Sequence, residues 1–241
     1  MAKSLRLRYY ADRAEFVGWT MNDQESRMEI IRFGKLLHER GLTAATDGNI
    51  SVRLNGDSVL TTPTCISKGM MAPDDLVVVD MNGRKISGYR DVTSEIVMHM
   101  TVYRMRPDIN AVVHAHPPTA TGFAACGLAL DQALVSEVLL SLGSIPLASY
   151  ATPGTSELSE ALEPFIPDHD AILMANHGVV TYGRDLTQAY MNMETVEHFA
   201  RIALVVRQIG CEHPLAAEQV SKLHEIRQRI QHYKAELPRR A

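Results

Sequence analysis

Two histidines, His114 and His116, close the apolar run Ala111-Val112-Val113 and are followed at once by Pro117 and Pro118. The run reads as the end of a buried strand that the prolines terminate. Side chains alternate across a strand, so residues two apart project from one face. Two imidazoles side by side at a sheet edge are half of a metal site, although neighbouring histidines can also simply hydrogen-bond at a strand end. Further ligands decide between these readings. His177 follows the apolar segment Ala171 to Asn176 and precedes Gly178, where a second strand ends. Taken alone it is an ordinary turn histidine. Joined to the pair, it completes the three protein ligands that hydrolytic and lyase zinc sites commonly use.

Glu95 is the candidate acid–base group. It falls in the first turn of a helix, a position carboxylates favour anyway because of the partial positive charge there. Thr93 and Ser94 precede it and offer hydroxyls and amides of the kind that bind phosphate at a helix start. Beside both a phosphate pocket and a metal, a glutamate can serve as ligand, as base, or as each in turn. Two loops belong with it. Thr46-Asp47-Gly48-Asn49 and Thr61 to Gly69 carry the Gly, Asn, Thr, Ser and Lys residues that cradle an anion, though neither is a P-loop or a dinucleotide fingerprint. Lys68 is assigned here as a phosphate or surface contact.

The elements that must position these residues follow from patterning. A helix starts at Asn22 or Asp23, buries Met28, Ile31 and Leu37, and stops at Gly41. Ile50 to Leu54 alternates, turns through Asn55-Gly56-Asp57 and returns at Val59-Leu60. Leu76 to Val79 is a further strand, with Asn82-Gly83 as a hairpin turn. A helix from Ser94 to Arg104 presents Ile96, Val97, Met100 and Tyr103 on one side. Strands are expected at Ile145 to Tyr150, Ala171 to Asn176 and Val179 to Tyr182, with a helix around Glu157 to Phe165. Long helices cover Leu186 to Ile209 and Ala216 to Lys234. The hairpin signals argue for a mostly antiparallel sheet covered by helices. With no linker or repeat, the 241 residues read as one domain with an N-terminal extension of about 20 residues.

A net charge of -4 argues against a general nucleic-acid binder. Cys65, Cys126 and Cys211 are too few and scattered for a disulfide framework, so a reducing, cytoplasmic setting is expected. No apolar stretch is long enough to span a membrane, and Asp12, Arg13 and Glu15 interrupt any leader-like run. His38, His99, His169, His198, His213, His224 and His232 lack partner spacing and read as structural or surface residues.

Taken in order, Asp47-Gly48-Asn49-Ile50-Ser51, Thr62-Pro63-Thr64, Ser94-Glu95, His114-Ala115-His116-Pro117, Tyr150-Ala151-Thr152-Pro153-Gly154-Thr155 and Asn176-His177-Gly178 resemble the class II aldolase and adducin family. The pattern is most like its L-fuculose-1-phosphate aldolase branch and runs from about Met28 to Ile209. The resemblance implies a three-layer α/β/α sandwich around a central, largely antiparallel sheet, assembled as a homotetramer with sites between subunits. It implies one zinc ion per subunit, or another divalent metal, held by His114, His116 and His177, with Glu95 as fourth ligand in the empty site and base during turnover. Gly48, Asn49, Thr64, Thr93 and Ser94 would lie at the phosphate of a sugar phosphate. Tyr150 matches a tyrosine placed near the aldehyde from an adjoining subunit.

Two positions depart from the family pattern. Cys65 stands where the family often has glycine, which narrows the pocket or signals another anion. Val92 stands where a proline is common, and Tyr233 has no firm counterpart. The expected reaction is retro-aldol cleavage of a ketose 1-phosphate to dihydroxyacetone phosphate and an aldehyde. Within the family the alternatives are 4-epimerases, which typically carry Asp at the position of Glu95, decarboxylases, and metal-free adducin-like interaction modules.

Overall fold

The computed structural model describes residues 21–54 and 57–236, and the side chains of 23–54 and 57–230. The N-terminal extension, the Asn55-Gly56 turn and the Tyr233 side chain lie outside the described residues. The chain forms helix α1 (Met21–Glu39), strands β1 (Asn49–Arg53), β2 (Ser58–Thr61), β3 (Val77–Asp80) and β4 (Lys85–Ser87), and helix α2 (Ile96–Met105). Strand β5 (Ala111–Ala115), helices α3 (Pro118–Ala125) and α4 (Ser136–Ser141), strand β6 (Leu147–Ala148) and helix α5 (Ser156–Leu162) follow. Strands β7 (Ala171–Met174) and β8 (Gly178–Gly183) and helices α6 (Leu186–Ile209) and α7 (Ala217–Glu236) complete it.

The strands make one sheet of order β4-β3-β2-β1-β5-β8-β7-β6. Every pairing is antiparallel except β6 with β7. The expectation of a largely antiparallel sheet therefore holds. Helices cover both faces. Ile30, Phe33 and Leu37 of α1, Phe123 of α3 and Met193, Val196 and Phe199 of α6 pack with Ile50, Val113 and Ala115 on one face. Ile96, Met100 and Tyr103 of α2 and Leu158 and Leu162 of α5 pack with Val112, Ile172 and Val180 on the other. Each large side chain removed from water here contributes about 1.5–3 kcal/mol. Those two cores hold the three layers together.

Several local expectations are corrected. The buried stripe of α1 runs through Ile30, Phe33 and Leu37 rather than Met28 and Ile31, which are only partly covered. Helix α2 is buried at Ile96, Met98, His99, Met100, Thr101, Val102 and Tyr103, whereas Val97 is exposed. The segment expected as a strand from Ile145 to Tyr150 pairs only at Leu147–Ala148, because Pro146 has no N–H to donate at its start. Helices α3 and α4 were not anticipated. Pro118 ends the His-x-His strand but also occupies the first turn of α3, where a missing N–H costs nothing. Its first amides are instead capped by buried Glu197 of α6, which accepts from Thr119 N and Ala120 N, both at 3.0 Å, and from Thr119 Oγ1 at 2.8 Å.

Candidate metal and anion site

Antiparallel pairing brings alternate strand ends to one sheet edge. The start of β1, the end of β5 and the start of β8 meet there, with Asn49 opposite His114 and Ala115 opposite Val179. Asn49 and Ser51 share a face with His114 and Val112, the face that α2 covers. That geometry gathers residues from β1, α2, β5 and the β7–β8 turn into one place.

The three sequence-predicted histidines do meet. Ring centroids of His114 and His116 lie 4.8 Å apart, those of His114 and His177 4.7 Å, and those of His116 and His177 5.2 Å. Their candidate ligand atoms fall within 4.8 Å of one another. Glu95, the residue capping the N-terminus of α2, reaches the same point: Oε2 lies 3.3 Å from His114 Nε2 and Oε1 lies 3.1 Å from His177 Nε2. His114 is fully buried and donates from Nδ1 to Val179 O at 2.9 Å, which turns its Nε2 lone pair into the site. His116 Nδ1 faces Asp47 Oδ2 at 3.4 Å, and that contact directs its Nε2 the same way.

This donor set fits a divalent ion. With both Nδ1 atoms committed outward, His114 Nε2 and His116 Nε2 confront each other at 3.0 Å, two lone pairs that a cation between them would reconcile. Among the described residues, buried His177 Nδ1 has no hydrogen-bond partner, and Glu95 Oε1 faces only His177 Nε2. Charge agrees with geometry. Burial opposes ionisation of Glu95, but His114, His177 and the Asn49 amide outweigh it and hold the carboxyl below the usual carboxylate range. Burial lowers His114, with Glu95 opposing, and burial with repulsion from His177 lowers His116. Neutral imidazoles around an ionised carboxylate are the protonation state that a metal requires.

Glu95, His116 and His177 border a cavity of about 210 Å³ whose wall also includes Gly48, Asn49, Thr64, Cys65, Thr93, Ser94 and Pro153. All five sequence-predicted phosphate residues are in that wall. A bridge between Pro63 and Val92 and the bond from Thr64 N to Asp91 O, 3.2 Å, clamp the Thr64 loop to the start of α2. Gly48 is needed for two reasons: its φ is +74°, and a Cβ there would lie 2.7 Å from His114 O. Cys65 also adopts a positive φ, +57°, consistent with a position suited to glycine, and its side chain is exposed at the cavity.

Other predictions place differently. Lys68 is neither a surface residue nor a cavity residue: it is 2% exposed, and its Nζ donates to Thr46 O at 3.0 Å and Ile66 O at 2.6 Å. It ties the two anion loops together from behind, and burial lowers its ammonium to about 8. Among the described residues the cavity wall offers hydroxyls and amides, with no lysine or arginine side chain in it. Tyr150 is 61% exposed and outside the cavity wall. Asp47, Ser51, His99 and Tyr103 were not singled out as site residues. The signal was available: Ser51 is two from Asn49 on a strand, and His99 is four from Glu95 on a helix.

Residues 28–204 match the family model described as the class II aldolase and adducin N-terminal domain. Across 203 residues the chain is 34% identical to a 5-deoxy-D-ribulose 1-phosphate aldolase of Bacillus thuringiensis, covering 83% of this chain and 94% of that protein. It is 30% identical over 206 residues to a 3-oxo-tetronate 4-phosphate decarboxylase of Pectobacterium atrosepticum, covering 84% and 94%. Among solved structures, an L-fuculose 1-phosphate aldolase superposes with a TM-score of 0.78 at 33% identity, covering 83% of this chain and 95% of that one.

Proposed function

Because the chain belongs to the class II aldolase and adducin family, we propose that it is a divalent-metal-dependent aldolase. Its substrate would be a ketose 1-phosphate, cleaved to dihydroxyacetone phosphate and an aldehyde. The observation that carries this reading is the convergence of His114, His116, His177 and Glu95 beside a wall built from Gly48, Asn49, Thr64, Thr93 and Ser94. Three imidazoles and a carboxylate suit zinc and accept other divalent ions. When bound, the ion supplies Lewis-acid stabilisation for the enediolate charge that carbon–carbon cleavage leaves.

The protein's own residues do the rest. In the condensation direction Glu95 takes a proton from the dihydroxyacetone phosphate carbon, and in cleavage it returns that proton. The Gly48–Asn49, Thr64 and Thr93–Ser94 wall holds the phosphate and with it the register of the reacting carbons. In condensation Tyr150 protonates the aldehyde oxygen, and in cleavage it takes that proton back from the hydroxyl that becomes the aldehyde. Its exposure outside the cavity fits a role in an adjoining subunit's site, and with it a homotetramer with active sites between subunits. We read the chain as one catalytic domain working in the cytoplasm.

A second reading has support. Similarity to a decarboxylase is nearly as high as to an aldolase, and Cys65 alters the anion wall. Both reactions leave the same kind of enolate charge, which an ion held by His114, His116, His177 and Glu95 would stabilise. Metal analysis of the purified protein, with a cleavage assay on a panel of ketose 1-phosphates before and after chelation, tests the proposal. About one zinc per chain and chelator-sensitive release of dihydroxyacetone phosphate is the expected result. Bound metal with carbon dioxide release from a 3-oxo acid phosphate, and no cleavage of ketose 1-phosphates, would replace aldolase with decarboxylase.

A further inference from the structure

Behind the metal and anion site a line of polar side chains runs into the packing between β1 and α2. Tyr103 Oη lies 2.9 Å from Ser51 Oγ, and Ser51 Oγ lies 2.7 Å from His99 Nδ1. His99 Nε2 lies 2.5 Å from Asn49 Oδ1, and Asn49 Nδ2 donates to Glu95 Oε2 at 2.8 Å. Ser51 and His99 are fully buried and Tyr103 is 1% exposed, so none of the three can touch a substrate.

The chemistry of each group allows only one direction of donation. An ionised carboxylate accepts and cannot donate, so Asn49 must present its NH2 to Glu95. Its carbonyl oxygen then faces His99, whose Nε2 must carry the proton. Burial keeps the His99 ring neutral, with its titration lowered to about 4. A neutral imidazole protonated on Nε2 accepts at Nδ1, so the Ser51 hydroxyl donates there and in turn accepts from Tyr103. Four consecutive hydrogen bonds thus point the same way and end on one oxygen of Glu95. Apolar side chains would fill this space without the desolvation cost that buried polar groups carry. The alternative amide orientation at Asn49 would set its oxygen against the carboxylate and an NH2 against the imidazole N–H.

We propose that His99, supported by Ser51 and Tyr103, is a positioning residue that locks the Asn49 amide with its NH2 on Glu95 Oε2 and thereby holds the carboxylate at the metal position. The catalytic half of this inference rests on Glu95 acting as the base in the proposed reaction, while the metal half does not. His99→Leu removes the donor that fixes the amide. His99→Gln puts an N–H donor back where imidazole Nε2 sits. His99 itself is fully buried and does not line the cavity; it acts only through Asn49.

The test uses the full chain as wild type, His99→Leu, His99→Gln and Ser51→Ala. Zinc dissociation constants are measured by chelator competition, with kcat and KM for whichever ketose 1-phosphate the wild type cleaves. His99→Leu is expected to lose on the order of 10–100-fold in both zinc affinity and kcat. His99→Gln should recover most of both losses, and Ser51→Ala should show a smaller loss in the same direction. A folded His99→Leu with wild-type zinc affinity and kcat overturns the proposal, as does a folded His99→Gln that loses as much as His99→Leu. If His99→Leu does not fold, Ser51→Ala decides: unchanged zinc affinity there also overturns it. Zinc affinities that follow the expected order in a protein cleaving no ketose 1-phosphate leave the positioning role standing and remove the aldolase reading instead.

Discussion

Gly178→Ala tests whether the histidine cluster is as tightly built as it looks. Gly178 opens β8 opposite Met174, directly after the candidate ligand His177. A Cβ there would sit 2.5 Å from His116 Cδ2, 2.6 Å from Ala115 O and 3.3 Å from His114 Cε1, against an ordinary contact of at least 3.4 Å. Two separate overlaps have to be relieved. The Ala115 carbonyl can retreat only by opening the β5–β8 ladder, where Ala115 faces Val179. The His116 ring can swing outward, since its side chain is 27% exposed, but that withdraws Nε2 from His114 and Nδ1 from Asp47. Moving the ring leaves the Ala115 carbonyl at 2.6 Å, so both must give, and the strain falls on the β5–β8 ladder and on the candidate metal site together. The metal-free variant should lose about 1–3 kcal/mol of stability, a fall in Tm on the order of 3–10 °C for a chain of this size. Zinc affinity should fall on the order of 10–100-fold. Saturating zinc would then widen the stability gap by roughly a further 1.4–2.7 kcal/mol. Thermal unfolding with and without zinc, and chelator competition, read all three quantities. Gly122→Ala is the control: its Cβ meets nothing within 4 Å, and it lies inside α3, so it should be neutral or mildly stabilising. Unchanged Tm and unchanged zinc affinity in Gly178→Ala would refute the close packing argued here. A Tm loss with no widening in zinc would mean that the backbone, not the ring, gives way.

On the proposed role of Glu95 as base, Glu95→Gln keeps the shape of the site but removes the proton acceptor, so turnover should fall by about 10²- to 10⁴-fold with the fold intact, whereas His114→Ala, at a proposed ligand, should also lose bound metal on elemental analysis. Glu197→Ala leaves the Thr119 and Ala120 donors at the start of α3 without their buried carboxylate; urea unfolding should show a loss of about 2–3 kcal/mol. For Lys68 the sign follows from its lowered ammonium: the unfolded chain holds the proton to about 10.5, the folded chain releases it near 8. The unfolded state therefore binds more protons between those values, and Lys68 adds stability as pH rises through that window. Comparing urea unfolding of wild type and Lys68→Met at pH values below and above about 9 should show a wild-type-specific gain of up to roughly 2–3 kcal/mol; an identical pH dependence in both proteins would contradict the burial of that ammonium.

Much of this protein was legible in its residue order. Alternation and turn residues marked the hairpins, because strand period and turn chemistry are local properties. The helix from Leu186 to Ile209 was read to its end for the same reason, with Gly210 closing it at φ +76°. The histidine pair announced itself because spacing by two on a strand fixes which face each ring shares. His177 and Glu95 were suspected from their positions at a strand end and a helix start. Their meeting with the pair depends on β8 lying beside β5 and on α2 lying over β1, contacts between residues far apart in sequence. No local pattern contains them.

Tertiary structure alone decided the rest. Lys68 looked like an anion contact from its loop, but packing of that loop turned its ammonium onto two carbonyls. Tyr150 sits beyond a strand that Pro146 shortened, and outside the cavity. His99 read as one structural histidine among several, yet the register of β1 against α2 sets it on Asn49 and, through Asn49, on Glu95. Which residues could do chemistry was written in their types and spacing. Which atom of each faces which partner was set by sheet register and helix packing, because hydrogen bonds are specified over a few tenths of an ångström and only the assembled layers define distances that finely.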